Sequence, residues 1–281
     1  TDRHKKMTES IFNKFDMTGK TAIVTGAAGL LGKQFCLALA QAGANVVMAD
    51  LDKDLAADNA NEFKEMGLNA LAVEVDVSDL DSTKTMVERA LTAFGGVDVL
   101  VNSAALDPKF DSASSATQDA NAFETFSVQL WRQALDVNLT GMFLASQAAV
   151  VPMLKKGQGV IVNICSMYGL VGPDQRLYER PDGTRQFKPV YYSVTKAGVL
   201  GFTRYLATYY AGNNIRVNAL TPGGVFNDHD EVFTDQYNAR TVLGRMANLD
   251  EMNAAMLFLC SDASSYMTGS NLVVDGGWTA W

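Results

Sequence analysis

Short β-branched runs alternate along this chain with stretches that repeat apolar residues at helical spacing. The first pairs are TAIVTG with LLGKQFCLALAQAG, NVVMAD with DLAADNANEFKEMG, and NALAVEVD with DSTKTMVERALTAFG. Alternation of this kind is typical of βαβ units, which build a parallel sheet with helices on both faces. The pattern therefore predicts an α/β fold of the doubly wound kind.

The same alternation continues to the end of the chain. After VDVLVNSA it predicts a long helix near 127–154, the strand GVIVNIC, a helix from about 190 to 211, the strand NIRVNALTP, a helix near 249–261 and the strand NLVVD. The predicted sheet thus has seven strands. No linker, change of composition or longer repeat marks a boundary, so we expect one domain over residues 19–281.

Three segments lack a regular pattern, namely 105–122, 170–189 and 223–245. Each follows a predicted strand, and ligands bind open parallel sheets at the carboxyl ends of the strands. We therefore expect the loops 170–189 and 223–245 to contact a substrate.

The chain is acidic, with 23 Lys and Arg against 31 Asp and Glu and a formal net charge of −8. No basic cluster is long enough to follow a phosphate backbone, so nucleic acid is not an expected partner. The longest apolar runs are of strand length, short of the ~20 residues of a membrane span, and no signal peptide opens the chain. We expect a cytoplasmic protein that does not enter a membrane. Residues 1–18 are expected to form a polar N-terminal arm, in which Met7 stands where a natural start could be and residues 1–6 are an expression remnant or unstructured.

Cysteine and histidine offer little for a metal site. Cys36, Cys165 and Cys260 are widely spaced among apolar neighbours, which is typical of reduced core thiols. His4 and His229 are the only histidines, too few for a His-rich metal centre or a histidine-based triad. No metal is therefore expected.

The segment TGAAGLLG places Gly26, Gly29 and Gly32 between the first strand and the first helix. Glycines there allow a sharp turn and let a pyrophosphate approach the N–H groups at the positive end of the helix. Asp50 follows Gly32 by 18 residues, where a carboxylate can bind ribose hydroxyls and repel a 2′-phosphate. This favours NAD over NADP, with a helix cap as the alternative for Asp50. Asp76, at the end of the third strand, could equally bind an adenine amino group or cap a helix.

The segment YYSVTKAG contains a candidate acid/base. At about 100° per residue, Lys196 lies about 40° around a helix from Tyr192 but about 140° from Tyr191, so Tyr192 is the predicted partner and Tyr191 is expected to pack. A nearby ammonium favours the phenolate, and a phenol tuned in this way can exchange a proton with a carbinol or carbonyl oxygen. Ser166, after the strand GVIVNIC, can hold the same oxygen, although alone it is more commonly a turn or cap residue.

Nine landmarks in one order resemble the single-domain branch of the short-chain dehydrogenase/reductase family. They are TGAAGLLG, Asp50, Asp76, NSAA, VNLTG with Asn138, NICS, YSVTK, NIRVNALTPGG and VDGG, within residues 17–278. The resemblance implies a seven-stranded Rossmann fold and an NAD(P)-dependent interconversion of a secondary alcohol and a ketone.

The resemblance also implies roles for residues that match the family's motifs. Tyr192 would be the acid/base, and Lys196 would tune it and bind the nicotinamide ribose. Ser166 would bind the reacting oxygen, and Asn138 would hold a proton-relaying water, its alternative being a polar residue at a bend of the long helix. Besides the glycines, the two aspartates, Tyr192 and Lys196, the cofactor contacts would be Leu31, Leu51, Val77, Asn102, Ala104, Pro222, Gly223 and Val225. Family members commonly form homo-oligomers, tetramers or dimers, through the long helices and the C-terminal strand, where Trp278 and Trp281 could pack.

Three motifs depart from the family pattern. The middle glycine of the turn stands one place early, a spacing more usual in the longer, sugar-nucleotide-modifying branch. NSAA lacks a glycine beside the nicotinamide, and TPGGVF lacks the usual threonine just downstream. None of these departures touches Ser166, Tyr192 or Lys196, which disfavours a non-catalytic relative.

Ser166 and Tyr192 are 26 residues apart, about twice the spacing that the family commonly shows. The extra chain is rich in arginine, and we expect it to bind an anionic or heavily hydroxylated substrate such as a sugar phosphate or nucleotide sugar. The candidate substrate contacts are Tyr168, Arg176, Arg185 and Phe226. A solvated surface loop or a subunit contact is the alternative. The insert and the ending GGWTAW also look similar to reductases of bacterial surface-glycan and nonulosonic-acid sugar pathways.

Two other functions stay open at this point. A non-catalytic NAD-binding or scaffold protein would keep the cofactor motifs without turnover. A sugar-nucleotide epimerase or dehydratase is favoured by the glycine spacing, but only about 60 residues follow Pro222, too few for the additional substrate domain of that branch.

Overall fold

Seven parallel strands form one sheet in the order β3-β2-β1-β4-β5-β6-β7. The computed structural model describes residues 10–107, 119–180 and 182–281. The strands are β1 (Thr21–Thr25), β2 (Asn45–Asp50), β3 (Ala70–Glu74), β4 (Val99–Asn102), β5 (Gly159–Ile164), β6 (Ile215–Pro222) and β7 (Asn271–Val274). The strand order reverses between β1 and β4, a switch point that opens a crevice at their carboxyl ends. The predicted doubly wound, seven-stranded α/β fold is confirmed.

Helices join the strands and cover both faces of the sheet. In the part of the chain that the structure describes they are α1 (Leu30–Gln41), α2 (Lys53–Glu65), α3 (Leu80–Phe94), α4 (Val128–Leu135), α5 (Gly141–Lys156), α6 (Val190–Tyr209), α7 (Glu231–Asn238) and α8 (Asn253–Cys260). Several begin at a side chain that accepts a backbone N–H of the first turn. These N-caps are Asp52 for α2, Asp79 for α3, Ser127 for α4 and Asp230 for α7.

Strand β1 is buried along its whole length because both faces of the sheet are covered. Ala22 and Val24 belong to a cluster with residues of α1 and α8, whereas Ile23 belongs to a cluster with residues of α3 and α5. Successive side chains of a strand point to opposite faces. A continuous apolar run is therefore the expected pattern for this central strand.

The long helix predicted near 127–154 is divided by a π-turn at Asp136–Thr140, between α4 and α5. The N–H of Gly141 donates to the carbonyl oxygen of Asp136, five residues earlier. Gly141 also packs closely against Val77, which follows β3, since a Cβ on Gly141 would lie 2.6 Å from Cγ2 of Val77. The sequence pattern predicted one continuous helix here, because the segments before and after the π-turn are both helical.

The helical run Val128–Lys156 is long and apolar enough to pass for a membrane span, with a mean hydropathy of 1.4 in its most apolar window. Half of that window is buried inside the protein. The burial comes from α5, which packs against α3, β4 and β5. Contact with the sheet accounts for the apolar character of this helix.

Part of the predicted N-terminal arm belongs to the folded body. Residues Ile11–Phe15 form a short 3-10 helix, and the side chain of Met17 is buried. Residues 1–9 of the predicted arm lie outside the described residues, as do residues 108–118 of the irregular segment 105–122.

Candidate active site

One cavity of about 1440 Å³ runs along the carboxyl ends of the strands. Its wall is formed by the glycine turn, the loops after β2 to β6, and α6. Of the residues predicted from the sequence, those in the wall are Gly26, Gly29, Leu31, Gly32, Asp50, Leu51, Asp76, Val77, Ala104, Ser166, Tyr168, Tyr192, Lys196, Pro222, Gly223 and Val225. The fold thus gathers candidate cofactor and catalytic residues from most of the chain around one space.

Gly26 and Gly32 stand where no side chain fits. Gly26 has a φ of 68°, and a Cβ there would lie 2.8 Å from Cα of Ala104. A Cβ on Gly32 would lie only 2.0 Å from the carbonyl oxygen of Gly26. Gly29 is the N-cap of α1, so the turn presents backbone without side chains at the positive end of that helix. The residues present therefore fit the pyrophosphate of a dinucleotide.

Asp50 and Asp76 both lie in the cavity wall, and neither is the N-cap of the helix that follows it. Asp50 accepts the N–H of Ala28 at 2.8 Å on Oδ2 and that of Asp52 at 3.0 Å on Oδ1. Asp52 itself caps α2, and Asp79 caps α3. The helix-cap alternatives for Asp50 and Asp76 are thus wrong, and both carboxylates stay at the groove as acceptors.

Ser166, Tyr192 and Lys196 meet in the cavity wall, and all three are buried. Oγ of Ser166 accepts the N–H of Tyr168 at 3.2 Å, and the Ser166 side chain lies close enough to Tyr192 to lower the pKa of that phenol. One turn further along α6, Nζ of Lys196 donates to the carbonyl oxygen of Ile164 at 3.0 Å and lies 5.7 Å from the centroid of the Tyr192 ring. The turn after β5 packs against the backbone of α6 at Gly169. A Cβ on Gly169 would lie only 2.7 Å from the carbonyl carbon of Lys196, so this contact needs glycine.

Burial dominates the ionisation of these groups. It raises the pKa of Tyr192 well above the ordinary value, the charge of Asp107 raises it further, and the nearby Ser166 side chain lowers it. Burial also lowers the pKa of Lys196. The expected lowering of the Tyr192 pKa by the lysine is therefore outweighed in the free protein, because removing a phenolate from water costs more than an ammonium at this distance offsets.

Asn102 and Asn138 lie behind the cavity rather than in its wall. Nδ2 of Asn102 donates to Oδ1 of Asn163 at 2.9 Å within the sheet, and the contact of Asn102 with a cofactor stays a prediction. Oδ1 of Asn138 accepts the N–H of Leu106 at 2.7 Å, and its Nδ2 donates to Oγ1 of Thr195 at 3.2 Å. Asn138 thereby ties the loop after β4 to α6, from within the π-turn.

Three predicted substrate contacts lie outside the cavity wall. The side chain of Arg176 is 80% exposed and pairs with Asp174 at 2.7 Å. That of Arg185 is 61% exposed and lies 3.9 Å from Glu179. Phe226 is 47% exposed. The acidic neighbours within the loop attract these guanidinium groups locally, which is the usual outcome for charges on a solvated loop.

The four tyrosines of the segment 163–198 have different surroundings. Tyr191 packs against Phe126, with ring centroids 5.8 Å apart, and lies outside the cavity wall. Tyr168 and Tyr178 line the cavity beside Tyr192, and their hydroxyls are 3.3 Å apart. Burial raises the pKa of Tyr168 to about 12, so it is a neutral hydrogen-bonding group at neutral pH.

The cavity wall also contains Asp107, Lys188 and His229, which the sequence analysis did not place in the site. Lys188 is buried, forms an ion pair with Asp107, and has its Nζ 4.1 Å from the centroid of the Tyr192 ring. The spacing contained a signal, since KPVYYSVTK has one lysine four residues before Tyr192 and another four residues after it. Helical phase could not be applied to the first lysine, because Pro189 precedes α6.

An aromatic row closes the cavity on the side of α7. Ring centroids are 4.5 Å apart for Trp278 and Tyr237, 6.0 Å for Tyr237 and Phe233, and 5.0 Å for Phe233 and His229. Trp278 is therefore buried in its own chain rather than available to another subunit, whereas Trp281 is 78% exposed.

The three cysteines, Cys36, Cys165 and Cys260, are buried thiols that form no disulfide. Burial raises the pKa of Cys36 and raises that of Cys260 to about 12. Within the described ranges, no group of three or more His, Cys, Asp or Glu side chains could hold a metal ion.

Known proteins match this chain along almost its whole length. A family model described as Enoyl-(Acyl carrier protein) reductase matches residues 26–279. The cis-4-hydroxycyclohexanecarboxylate dehydrogenase of Sinomonas cyclohexanicum is 36% identical over 270 residues, covering 93% of this chain and 97% of its own. The 3-oxoacyl-[acyl-carrier-protein] reductase of Thermotoga maritima is 34% identical over 265 residues, covering 93% and 98%. The chain belongs to the short-chain dehydrogenase/reductase family.

Solved structures of this family share the whole fold. A gluconate 5-dehydrogenase from Burkholderia cenocepacia, in complex with NADP and tartrate, has a TM-score of 0.84 at 28% identity, covering 97% of this chain and 100% of its own. A short-chain dehydrogenase/reductase from Mycobacterium marinum has a TM-score of 0.83 at 31% identity with the same coverage. The protein is thus an NAD(P)-dependent oxidoreductase that acts on CH–OH groups. The reaction class expected from the motifs is confirmed over the scaffold and epimerase alternatives.

Proposed function

We propose that this protein interconverts a secondary alcohol and a ketone on a small, polyhydroxylated, sugar-derived substrate, with NAD as its cofactor and Tyr192 as the acid/base. The main support is that Ser166, Tyr192 and Lys196 meet in the wall of a cavity that continues to the glycine turn. A substrate oxygen beside Tyr192 and a dinucleotide along the turn would share one space.

Tyr192 moves the proton in this proposal. During alcohol oxidation its phenolate Oη accepts the proton of the substrate hydroxyl, and during ketone reduction its phenol O–H returns it. Ser166, which lies beside Tyr192 in the cavity wall, donates to the same substrate oxygen and stabilises the charge that develops there. The cofactor, when bound, supplies the acceptor or donor of the hydride at the carbinol carbon.

Lys196 and Asn138 would support that proton transfer. Lys196 binds the nicotinamide ribose and keeps a positive charge near Tyr192. Asn138 bonds to Thr195, the residue before Lys196, and this places its turn beside the lysine. A water held at Asn138 would pass protons between Lys196 and solvent.

Asp50 would carry the preference for NAD. Its carboxylate is held at the glycine turn by the N–H of Ala28, where it can accept hydrogen bonds from ribose hydroxyls and repel a 2′-phosphate. The gluconate 5-dehydrogenase neighbour was solved with NADP, so the fold by itself does not set the preference for NAD. The remaining cofactor contacts would be Gly26, Gly29, Leu31, Gly32, Leu51, Asp76, Val77, Ala104, Pro222, Gly223 and Val225.

The cavity wall near Tyr192 suits a substrate with several hydroxyl groups. Tyr168, Tyr178 and His229 line it there, and each can donate or accept a hydrogen bond. Gluconate 5-dehydrogenases and hydroxycyclohexanecarboxylate dehydrogenases, which are named for small hydroxy acids, are among the relatives. The loops 170–189 and 223–245 would form the substrate walls of a domain at 19–281, and the likeness to glycan-pathway reductases stays a prediction.

A screen with the purified protein tests the proposal. Reduced-nicotinamide absorbance would be followed with NAD and NADP against gluconate and other sugar acids, polyols, sugar phosphates and the two 4-hydroxycyclohexanecarboxylates. We expect turnover with NAD on a polyhydroxylated substrate. A preference for NADP would contradict the role of Asp50, and turnover confined to the two 4-hydroxycyclohexanecarboxylates would contradict the substrate class.

Two matched tyrosine variants test the mechanism. Tyr192→Phe should lower kcat/KM by about 10²–10⁴-fold while the Kd for NAD stays within about twofold, because only proton transfer is lost. Tyr191→Phe, which alters the neighbouring ring outside the cavity, should retain nearly full activity. Turnover by Tyr192→Phe within tenfold of the wild type would refute Tyr192 as the acid/base.

A further inference from the structure

Two lysines, not one, lie beside the ring of Tyr192. Nζ of Lys188 is 4.1 Å from the ring centroid, closer than Nζ of Lys196 at 5.7 Å. Only 9% of the Lys188 side chain is exposed, and its ammonium pairs with Asp107. A buried ammonium at this distance from an aromatic ring interacts with it strongly, since little solvent screens the charge.

Asp107 is the opposing charge of this site. It is the largest influence after burial that raises the pKa of Tyr192. A carboxylate next to a phenol disfavours the phenolate by like-charge repulsion. Formation of the base for alcohol oxidation thus depends on how well the charge of Asp107 is offset.

The segment 170–189, called the inserted loop from here on, holds the backbone of Lys188 in place. Oε1 of Gln175 accepts the N–H of Lys188 at 2.8 Å, and Nε2 of Gln175 donates to the carbonyl oxygen of Lys188 at 3.2 Å. Pro189, the next residue, is the N-cap of α6. The lysine is therefore fixed between the loop and the helix that carries Tyr192, with its ammonium directed into the cavity wall.

We propose that Lys188 is a positioning residue of the acid/base site, which the long segment between Ser166 and Tyr192 serves to place against Tyr192. It offsets the charge of Asp107, so that the phenol O–H of Tyr192 can give up its proton to solvent and the resulting phenolate can accept the proton of the substrate hydroxyl. The inference rests on the proposed function in taking Tyr192 as the acid/base.

Other ionisable groups also surround Tyr192. Lys196 belongs to α6, Cys165 and Tyr168 follow β5, Tyr178 lies in the inserted loop, and His229 precedes α7. Lys188 and Asp107 differ from these in forming a pair that joins the inserted loop to the loop after β4. Changing the pair one charge at a time therefore separates its effect from that of the rest.

Ionisation of Tyr192 can be measured without a substrate. Protein labelled with ¹³C at tyrosine Cζ would be titrated by NMR, with the Tyr192 signal assigned from Tyr192→Phe. Lys188→Met should lower the phenolate fraction at a fixed alkaline pH about tenfold, one pKa unit, and Asp107→Asn should raise it by a similar factor. Lys188→Arg and the double variant Lys188→Met/Asp107→Asn should stay within about threefold of the wild type, because each restores the charge balance.

A second lysine–aspartate pair provides the matched control. Nζ of Lys156 lies 2.5 Å from Oδ1 of the buried Asp98, at the opposite end of β4 from the cavity. Lys156→Met should lower the stability without changing the Tyr192 titration. An equal shift in Lys156→Met, or no shift in folded Lys188→Met, would overturn the proposal. If Lys188→Met does not fold, an unchanged titration in Asp107→Asn would overturn it.

Kinetics separates this role from substrate binding. With a substrate found in the screen, Lys188→Met should move the pH profile of alcohol oxidation upward by about one unit and change KM little. A raised KM with an unmoved profile would overturn the proposal in favour of a substrate contact. Turnover by Tyr192→Phe would refute the proposed function, while the NMR titration would still report whether Lys188 controls the ionisation of Tyr192.

Discussion

Tyr192 lies in surroundings that act on its ionisation in opposite directions. Burial and Asp107 favour the phenol, whereas the nearby Ser166 side chain favours the phenolate. Two ammonium groups lie within 6 Å of its ring centroid. The phenol form therefore dominates at neutral pH in the free protein, and the proposed mechanism needs different forms of this side chain in the two directions of the reaction.

The pH dependence should show this difference. Reduction uses the phenol as proton donor, so its kcat/KM should hold steady across neutral pH and fall only on the alkaline side. Oxidation uses the phenolate of Tyr192. The kcat/KM of oxidation should therefore rise with pH, by up to about tenfold per unit, until the pH reaches the raised pKa of Tyr192. Steady-state rates in both directions would measure this, and an oxidation rate that is flat from slightly acidic to alkaline pH would contradict it.

At the scale of elements, the inserted loop and α7 are joined by Asp174. Its Oδ2 accepts from Nε of Arg240 at 2.7 Å, and the same carboxylate pairs with Arg176 inside the loop. The hydrogen bond from Arg176 is the largest influence that lowers the pKa of Asp174 below its usual range, and the hydrogen bond from Arg240 lowers this pKa further. Tyr178 and Phe233 add a ring contact at 5.9 Å between the same two segments. The two predicted substrate loops are therefore connected to each other by an ion pair and a ring contact.

The two arginines that bind Asp174 allow a paired test. Arg240→Gln breaks the link to α7 and should destabilise the fold by about 1–2 kcal/mol and raise KM several-fold, since a half-buried charged hydrogen bond is lost. Arg176→Gln removes an exposed partner of the same carboxylate and should cost less than about 1 kcal/mol. Thermal unfolding and steady-state kinetics would compare them. The pKa of Asp174 is lowered, so its contribution is present at neutral pH and is lost only as the pH falls through that lowered value. Equal effects of the two variants would contradict the connection.

At the scale of the whole molecule, exposed apolar side chains are spread over the surface, and five of them lie on the outer helices α4 and α5. They are Val128, Leu130, Phe143, Val151 and Leu154. Where such side chains form one contiguous patch on a folded domain, they mark an interaction site. The position of these five agrees with the homo-oligomer, tetramer or dimer, that the family resemblance implied from the long helices.

Oligomer mass would test this surface. We expect light scattering after size exclusion to give a multiple of the 30.3 kDa chain mass, and Phe143→Asp to reduce it by adding a charge to the apolar surface. Met66→Asp, at the exposed C-cap of α2 on the β3 edge of the sheet, should leave the mass unchanged. A monomeric wild-type protein would contradict the expectation.

Residue order alone was enough to predict the sheet, the glycine turn, and the meeting of Ser166, Tyr192 and Lys196 in one place. These depend on local periodicity and on short motifs, such as the single helical turn between Tyr192 and Lys196, which the chain carries in its residue order. The π-turn at Asp136–Thr140 was not predicted, because the pattern on both sides of it is that of an ordinary helix.

Only the tertiary structure decided which charges face the cavity. Arg176 and Arg185 look outward in the fold, each beside an acid of its own loop, while Lys188 lies against Tyr192. Asp107 reaches the same place from the loop after β4, 81 residues before its partner. Loop charges follow no period, and their direction depends on partners distant in the chain, so the order of residues shows that charges are present but not where they point.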